Sequence, residues 1–426
     1  MQKENQTSEI LNYLNTAIQY HNSGKLKDAE KLYQKILNAF PNHPDALHLL
    51  GVISHQQGKF DIAVGLITKA IAFDTKQASF FNNLGNVYID MAEWINAITC
   101  FQKALSLRPD YAEAYFNLAN AYQIQNDLNN AITCYREALR LNSSLYQAYY
   151  NIGMLCLKQD DIDQAIESFD NAIQKKPDYA EAHYGLGNAY KSDGKINKAL
   201  SSYKKALSLN LLGIDARLDI GRFFEKNGEL GEATRCYQNT VPTDSIYALT
   251  IFIKLGLLNG KLERFTEAIL YLQKALEIAP ESEIAHYNLG IIFDKQNIYN
   301  KALCSYQRAI ELKPDYADAC LNMGALYHKR ENLDKAFKYY QKVIRLNPQY
   351  ATAYNNLGLI FLKQQKIDKA IESFDKALTI DPEYGDAFCH LFLQLQHTCD
   401  WNRLKSMSGK LDQQTETELK ASRRTS

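Results

Sequence analysis

Residues 112–145 read AEAYFNLANAYQIQNDLNNAITCYREALRLNSSL, and this stretch determines the fold. Its first half places Tyr115, Leu118 and Tyr122 at three- and four-residue steps, which is the spacing of one apolar face of a helix. An Asn-Asp pair then predicts a turn, and the second half places Ala131 on the face of a second helix. The stretch therefore predicts two short helices that pack against each other.

The same pattern recurs every 34 residues along most of the chain, with one inserted residue near the middle. The recurring marker is an alanine of the second helix, found at Ala29, Ala63, Ala97, Ala131, Ala165, Ala199, Ala233, Ala268, Ala302, Ala336 and Ala370. Twelve residues before each marker stands another small residue, at Ala17, Gly51, Gly85, Ala119, Gly153, Gly187, Gly221, Gly256, Gly290, Gly324 and Gly358. Such a period is typical of stacked helix pairs, because each small residue allows two helices to approach closely. Positions are counted from Ala112 and its equivalents, so these two small residues are positions 20 and 8.

Composition excludes several classes of function. The chain has 426 residues and a formal net charge of zero, with 48 basic and 48 acidic residues. A balanced charge argues against a nucleic-acid partner, because nucleic-acid surfaces carry a basic excess. No apolar run of about 18 residues occurs, so no membrane span is expected, and the polar first residues lack a signal core. The expected location is cytoplasmic.

One repeat carries almost the whole pattern of a known family. At positions 4, 7, 8, 11, 20, 24, 27 and 32 it has Phe81, Leu84, Gly85, Tyr88, Ala97, Phe101, Ala104 and Pro109. This pattern resembles the tetratricopeptide repeat (TPR) family, and eleven such units follow one another from about Glu9 to Tyr384. The resemblance implies an all-α fold: a right-handed α-solenoid, the TPR superhelix, of about eleven helix-turn-helix repeats. Its concave groove would be lined by the first helices.

The repeat boundaries predict three segments. These are an N-terminal tail at residues 1–8, a superhelix of eleven repeats plus a terminal helix at 9–400, and a polar C-terminal tail at 401–426. The unit at residues 214–244 departs from the pattern, with Arg217 at a usually apolar position and Thr240 in place of the second alanine. We expect a local change of curvature there, and ordinary repeat drift is the alternative.

Position 6 of the first helix is predicted to face the groove, and asparagine recurs there. The candidate peptide-binding residues are Asn83, Asn117, Asn151, Asn288, Asn322 and Asn356. A row of carboxamides, each with donors and an acceptor, can hydrogen-bond the main chain of an extended peptide. The alternative is that asparagine is simply common at this position, without a binding role. Gly185, Asp219 and Lys254 interrupt the row, and the two charged residues would either add selectivity or form ion pairs.

The aromatic residues at position 5 are expected to pack on their neighbours rather than to contact a peptide. They are Phe116, Tyr150, Tyr184 and Tyr287. Position 5 never carries Lys or Arg, which disfavours a clamp for a terminal carboxylate.

The two ends of the repeat region resemble a narrower group of proteins. Residues 20–33 read YHNSGKLKDAEKLY, and residues 386–401 read DAFCHLFLQLQHTCDW. The second stretch resembles the junction between repeats and catalytic part in the O-linked N-acetylglucosamine transferase and SPINDLY-like family. That resemblance implies that the asparagine row guides protein substrates to a following two-lobed domain that binds a nucleotide sugar. Only 25 residues follow Trp401, which is too few for such a domain.

The sequence therefore predicts a protein-protein interaction scaffold and not an enzyme: a recognition arm without its catalytic domain, from a truncated or split gene. Its expected partners are proteins or extended peptide segments, with a separately encoded glycosyltransferase among the candidates. The alternative is an independent adaptor that assembles a complex unrelated to glycosylation.

No catalytic residue, cofactor or metal site is predicted. The chain lacks a Gly-rich phosphate loop and a nucleophile elbow. Cys389, His390, His397 and Cys399 are of metal-ligand type, but their spacing matches no familiar zinc pattern. Most cysteines are expected to be small buried hydrophobes.

Overall fold

The computed structural model describes residues 2–209, 211–240, 245–405 and 407. No β-strand occurs in these ranges, and the all-α fold class is confirmed. The helices are α1 (Gln2–Asn22), α2 (Leu26–Ala39), α3 (Pro44–Gln56), α4 (Phe60–Phe73), α5 (Ala78–Asp90), α6 (Trp94–Leu107), α7 (Ala112–Ile124), α8 (Leu128–Leu141), α9 (Tyr146–Lys158), α10 (Ile162–Lys175), α11 (Ala180–Ser192), α12 (Ile196–Ser208), α13 (Ile214–Lys226), α14 (Leu230–Gln238), α15 (Ser245–Lys261), α16 (Phe265–Ile278), α17 (Glu283–Lys295), α18 (Tyr299–Leu312), α19 (Ala317–Lys329), α20 (Leu333–Leu346), α21 (Ala351–Lys363), α22 (Ile367–Ile380) and α23 (Gly385–His397).

The first 22 helices form eleven successive pairs, and α23 stands alone after them as the predicted terminal first helix. The chain divides into two compact units, residues 1–216 and 217–426. The first unit holds α1 to α12, and the second begins inside α13. Within each unit, a helix packs on its pair partner and on the next helix along the chain, as in an α-solenoid.

Position 8 is glycine in nine of the eleven pairs, and each of these glycines faces the position 24 side chain of the same repeat. A Cβ atom added to Gly85 would lie 2.5 Å from the ring of Phe101, and one added to Gly187 would lie 2.5 Å from the ring of Tyr203. These rings are almost completely buried. The marker alanine is also fully buried, but the nearest atoms to most of these glycines belong to position 24. The glycine therefore makes room mainly for a large ring.

The turn inside each pair needs a residue with positive φ. Asn126 adopts φ 61° and Asp160 adopts φ 62°, and glycine takes this place in four other repeats. Asp127 then caps α8 by accepting a hydrogen bond from the Asn130 backbone N–H at 3.3 Å. The Asn-Asp turn predicted from the sequence is thus confirmed, since asparagine tolerates the left-handed conformation and aspartate is a good N-cap.

The irregular unit has a shortened second helix. α14 spans nine residues, whereas most second helices span fourteen. The Arg217 guanidinium donates to the Asn239 carbonyl oxygen at 3.0 Å, just beyond the end of this helix. Thr240 is buried, and its hydroxyl donates to carbonyl oxygens of the last turn. Both departures from the pattern therefore interact with the end of α14, while the expected change of curvature stays a prediction.

The ends of the chain differ from the predicted tails. α1 begins at Gln2, so residues 2–8 belong to a helix rather than to a separate tail. Residues 401–405 are also helical, with Leu404 buried and the Arg403 guanidinium 2.6 Å from both carboxylate oxygens of Asp375. Residues 406 and 408–426 of the predicted C-terminal tail lie outside the described residues. No helix in the described ranges is both long and apolar enough to cross a membrane.

Replacing Gly85 with alanine should destabilise the protein by about 1–3 kcal/mol, because the new methyl group collides with the buried Phe101 ring. The matched control is Gly65→Ala on the exposed face of α4, where a Cβ meets no atom within 4 Å. That control should stabilise the helix by about 0.5–1 kcal/mol. Urea unfolding measures both effects, and equal shifts for the two variants would contradict the close-contact explanation.

Candidate concave binding surface

One face of each first helix is left uncovered by its neighbours. Because successive helical residues are 100° apart, positions 2, 6, 9 and 13 lie within about 60° of one another. In α7 these are Glu113, Asn117, Asn120 and Ile124, all at least partly exposed, whereas Leu118 on the opposite side is buried. We call the surface formed by these four positions the groove face.

Position 6 asparagines make hydrogen bonds that link neighbouring first helices. Asn117 Nδ2 donates to Asn82 Oδ1 at 3.1 Å, and Asn322 Nδ2 donates to the Tyr287 hydroxyl at 3.2 Å. Asn83 Nδ2 lies 2.9 Å from His48 Nε2. In every case the partner is 35 residues earlier, at position 5 of the preceding repeat. These contacts fix the direction in which each amide group points.

Position 6 also lies beside the position 24 ring of the preceding repeat. Asn151 Nδ2 is 2.9 Å from the hydroxyl of Tyr135, which itself donates to Asn120 Oδ1 at 2.5 Å. Asn322 likewise hydrogen-bonds Tyr306, and Asn356 hydrogen-bonds Tyr340. Burial raises the pKa of these three tyrosines, so their hydroxyls stay protonated. Several asparagines therefore satisfy a buried hydroxyl, a role that the sequence analysis missed.

Asn288 differs from the other candidates. It is buried, with 5% of its surface exposed, and its Nδ2 donates to the Ile284 carbonyl oxygen of its own helix at 2.8 Å. It therefore makes no link to a neighbouring repeat among the contacts that the structure describes, and it is a poorer candidate for peptide contact than the rest.

Three asparagines in successive repeats keep an uncommitted acceptor. The Oδ1 atoms of Asn83, Asn117 and Asn151 accept no hydrogen bond from any described residue, while their Nδ2 atoms are engaged. All three are partly exposed on the groove face of the first unit. The arrangement is a row of carbonyl acceptors at one per repeat.

The interruptions of the row have local causes. A Cβ at Gly185 would lie 2.5 Å from the Phe169 ring of the preceding repeat, so no side chain fits there without movement. Asp219 pairs with Arg222 on its own helix. Lys254 Nζ lies 3.2 Å from Glu225 Oε2. The two charged residues form ion pairs, which was one of the two interpretations left open by the sequence.

Leu49 at position 6 of the second repeat leaves a hydroxyl without a partner. Tyr33 precedes it at position 24 and is fully buried, and its hydroxyl makes no hydrogen bond to any described residue. Position 9 of the repeat that contains Tyr33 is Ile18. The Tyr33 hydroxyl therefore lacks both of the amide partners that other position 24 tyrosines have. Burial raises the pKa of Tyr33 to about 12.

The position 5 side chains pack inside the repeats, as predicted. Tyr150 lies 5.9 Å from Phe169 between ring centroids, and Phe116 lies 5.5 Å from Tyr135. These ring contacts stabilise the packing of the two helices in a pair. His48 at the same position is buried, and burial, assisted by nearby His21, lowers the pKa of its imidazole to about 4. A neutral imidazole can accept the hydrogen bond from Asn83.

Two cysteines of the second helices, Cys100 and Cys134, are partly buried. Burial raises the pKa of Cys100 and Cys134 to about 11, which suppresses the reactive thiolate. Cys389 and Cys399 are exposed, and His390 Nδ1 lies 3.0 Å from Asn355 Oδ1. No cluster of three or more metal-ligating side chains occurs among the residues described.

The stacked helix pairs and their repeated inter-helix contacts define an α-solenoid, a class of protein that presents concave binding surfaces. Tetratricopeptide repeat models match residues 15–78, 77–144, 180–210, 249–282 and 351–384. A further TPR repeat model matches residues 153–194, 292–330 and 326–365. The chain belongs to the tetratricopeptide repeat family. Membership of this family supports a role as a protein-interaction scaffold.

Solved structures similar to this chain include other helical repeat proteins. The crystal structure of MamA is 29% identical over 38% of this chain and 94% of its own, with a TM-score of 0.37. The APC/C hetero-tetramer Cut9-Hcn1 is 16% identical over 89% and 95%, with a TM-score of 0.41. Yeast Tom70 is 15% identical over 95% and 99%, also with a TM-score of 0.41. No protein of curated function matched the chain.

Removing the unpaired hydroxyl with Tyr33→Phe should leave the free energy of unfolding unchanged or raise it by up to about 2 kcal/mol, because a buried group without a partner is lost. Tyr340→Phe is the matched variant and should lower it by about 1 kcal/mol, because Asn356 loses its partner. Chemical denaturation compares the two, and a larger loss for Tyr33→Phe would contradict the assignment.

His48 should make the protein less stable as pH falls from 6.5 towards 4. The unfolded imidazole takes up a proton near pH 6.5 and the folded one only near 4, so acid favours the unfolded state in this window. The loss attributable to His48 should be about 2 kcal/mol at pH 5. His48→Asn, which copies Asn82 at the equivalent position, is the comparison. Parallel pH profiles of the two proteins would rule out this contribution.

Proposed function

We propose that the groove face binds extended peptide segments of partner proteins through the amide side chains at position 6. The observation that carries the proposal is the arrangement of Asn83, Asn117 and Asn151. In each of them, Nδ2 is anchored to the preceding repeat and Oδ1 has no described donor. Main-chain N–H groups of a peptide are the donors that such a row of acceptors fits best.

The spacing of the row suits an extended chain. Packed helices lie about 8–10 Å apart, and an extended peptide advances about 3.3 Å per residue. Each repeat would then meet about every third peptide residue. Because the anchored amide is already oriented, binding loses little side-chain entropy. Recognition of the main chain also makes the site tolerant of peptide sequence.

The proposal gives the asparagines of the two units different weights. Asn322 and Asn356 satisfy buried tyrosine hydroxyls as Asn151 does, but Asn288 is buried and bonds within its own helix. Asn288 therefore interrupts the row of acceptors in the second unit. The uninterrupted acceptors from Asn83 to Asn151 make the first unit the principal site for the peptide main chain.

A narrower proposal concerns the partner. The resemblance of residues 386–401 to the repeat-catalytic junction of O-linked N-acetylglucosamine transferases favours a separately encoded glycosyltransferase or its protein substrates. An independent adaptor is the alternative. Affinity purification of the full chain from its own host, followed by mass spectrometry, separates the two. Recovery of a glycosyltransferase supports the first, and a complex without one supports the second.

The double variant Asn117→Ala with Asn151→Ala should weaken peptide binding about 5- to 100-fold, because two hydrogen bonds of about 0.5–1.5 kcal/mol are lost. The ligand is a 12-residue peptide selected from a display library on the full chain, and fluorescence anisotropy measures its affinity. Asn129→Ala with Asn171→Ala, on α8 and α10 away from the groove face, is the matched control. Equal affinities of the two double variants, with unchanged helicity, would refute the proposal.

A further inference from the structure

The second unit carries a row of lysines along one edge of its groove face. Position 13 is Lys226, Lys261, Lys295, Lys329 and Lys363 in five successive repeats, and all five are exposed. Each lies in the last turn of its first helix. In the first unit the same position is Asn22, Gln56, Asp90, Ile124, Lys158 and Ser192, so the row belongs to the second unit.

These ammonium groups form only weak interactions with other residues of the protein. Lys329 Nζ lies 3.8 Å from an Asp294 oxygen and donates to Asn297 Oδ1 at 3.2 Å, and Lys363 Nζ lies 3.6 Å from a Glu331 oxygen. About half of each of these two lysine side chains is exposed. Exposed ion pairs of this kind contribute little. Lys261 and Lys295 form no ion pair with any residue that the structure describes. The row therefore retains positive charge for a partner.

An apolar row runs beside the lysines at position 9. Leu257 is 38% exposed and Leu393 is 49% exposed, and Ile291 and Leu359 are partly exposed between them. The first unit has asparagine at this position in three of its repeats, namely Asn86, Asn120 and Asn188. Leucine and isoleucine at a water-facing position gain free energy when a partner covers them.

The opposite edge of the same surface holds an apolar cavity with acidic residues at its margin. Its volume is about 800 Å³, and Leu249, Ile253, Pro280 and Ile284 line it. Glu281 and Glu283 also contribute to its wall. Positions 2 and 13 are about 16 Å apart along a helix, so the acidic and lysine edges are well separated. A partner segment that enters this cavity with an apolar residue can therefore keep its acidic residues at the lysine edge, away from the glutamates.

We propose that the groove face of the second unit binds an extended protein segment in which acidic residues recur beside large apolar residues. This inference rests on the proposed peptide-binding function and names the class of peptide for this unit. The acidic side chains meet the lysine row, the apolar side chains cover the position 9 row, and a large apolar residue enters the cavity near Ile284. Charge complementarity along the row, rather than the end of a chain, selects the partner.

A purely structural role for the lysines makes a different prediction. Cations in the last turn of a helix interact favourably with its C-terminal end. If that were their function, replacing them would alter stability and leave peptide binding unchanged. Affinity and its dependence on salt therefore separate the two roles.

The test uses the full chain and three capped 12-residue peptides, each with four copies of a triplet: Leu-Glu-Thr, Leu-Gln-Thr or Leu-Lys-Thr. The acidic peptide should bind most tightly, and its affinity should fall as salt is raised from 50 to about 300 mM, since screening acts on exposed charges. Lys261→Gln with Lys295→Gln should weaken it about three- to tenfold. Lys338→Gln with Lys376→Gln, on α20 and α22, is the control with the same charge change.

The outcomes separate the two proposals. Equal binding of the acidic and neutral peptides, or equal effects of the two lysine pairs, would overturn the acidic preference while leaving peptide binding in place. Tighter binding of the basic peptide would overturn it as well. Absence of binding by all three peptides would count against both proposals. Leu393→Ser supplies a second check on the exposed apolar row, because it should weaken the acidic and neutral peptides alike.

Discussion

Close contact between a small residue on one helix and a large buried side chain on the next is the constraint on which the other contacts depend. Where Gly85 meets Phe101, no side chain can be added without displacing the ring. The close approach sets the distance between the two helices and buries the ring completely. The groove face lies on another side of the same first helix and stays uncovered. The packing of each pair thus depends on one steric requirement.

The sequence was sufficient for the fold because its signals are local and repeated. The small residues, the turn formers and the apolar spacing all lie within 34 residues, so each repeat reports the same structure independently. The C-terminal end of the helical region was harder to predict from the sequence. Leu404 and Arg403 interact with the repeat before them, and no periodic pattern continues into that segment to reveal it.

The candidate site was only partly accessible from sequence. Position 6 could be placed on the groove face by helical geometry, but for the asparagines other than Asn288 the main hydrogen-bond partner is 16 or 35 residues away. The relevant pairing is between position 6 and position 24 of the preceding repeat. Comparing the residues at these two positions along the sequence would have shown that Tyr33 is followed by leucine at position 6 of the next repeat, whereas Tyr135 is followed by asparagine. Which amide atom is left for a ligand follows only from three-dimensional contacts.

The pairing across repeat boundaries also restricts how such a protein can evolve by duplication and shuffling of its units. A repeat with asparagine at position 6 can follow either a tyrosine or a phenylalanine at position 24. The repeat that contains Gly185 fits after Phe169. A tyrosine in place of Phe169 would bury a hydroxyl beside Met154 and Gly185, and neither residue offers a good side-chain acceptor for its hydrogen bond. Repeats that look interchangeable in their consensus therefore have a preferred neighbour, and the order of units is itself an inherited property.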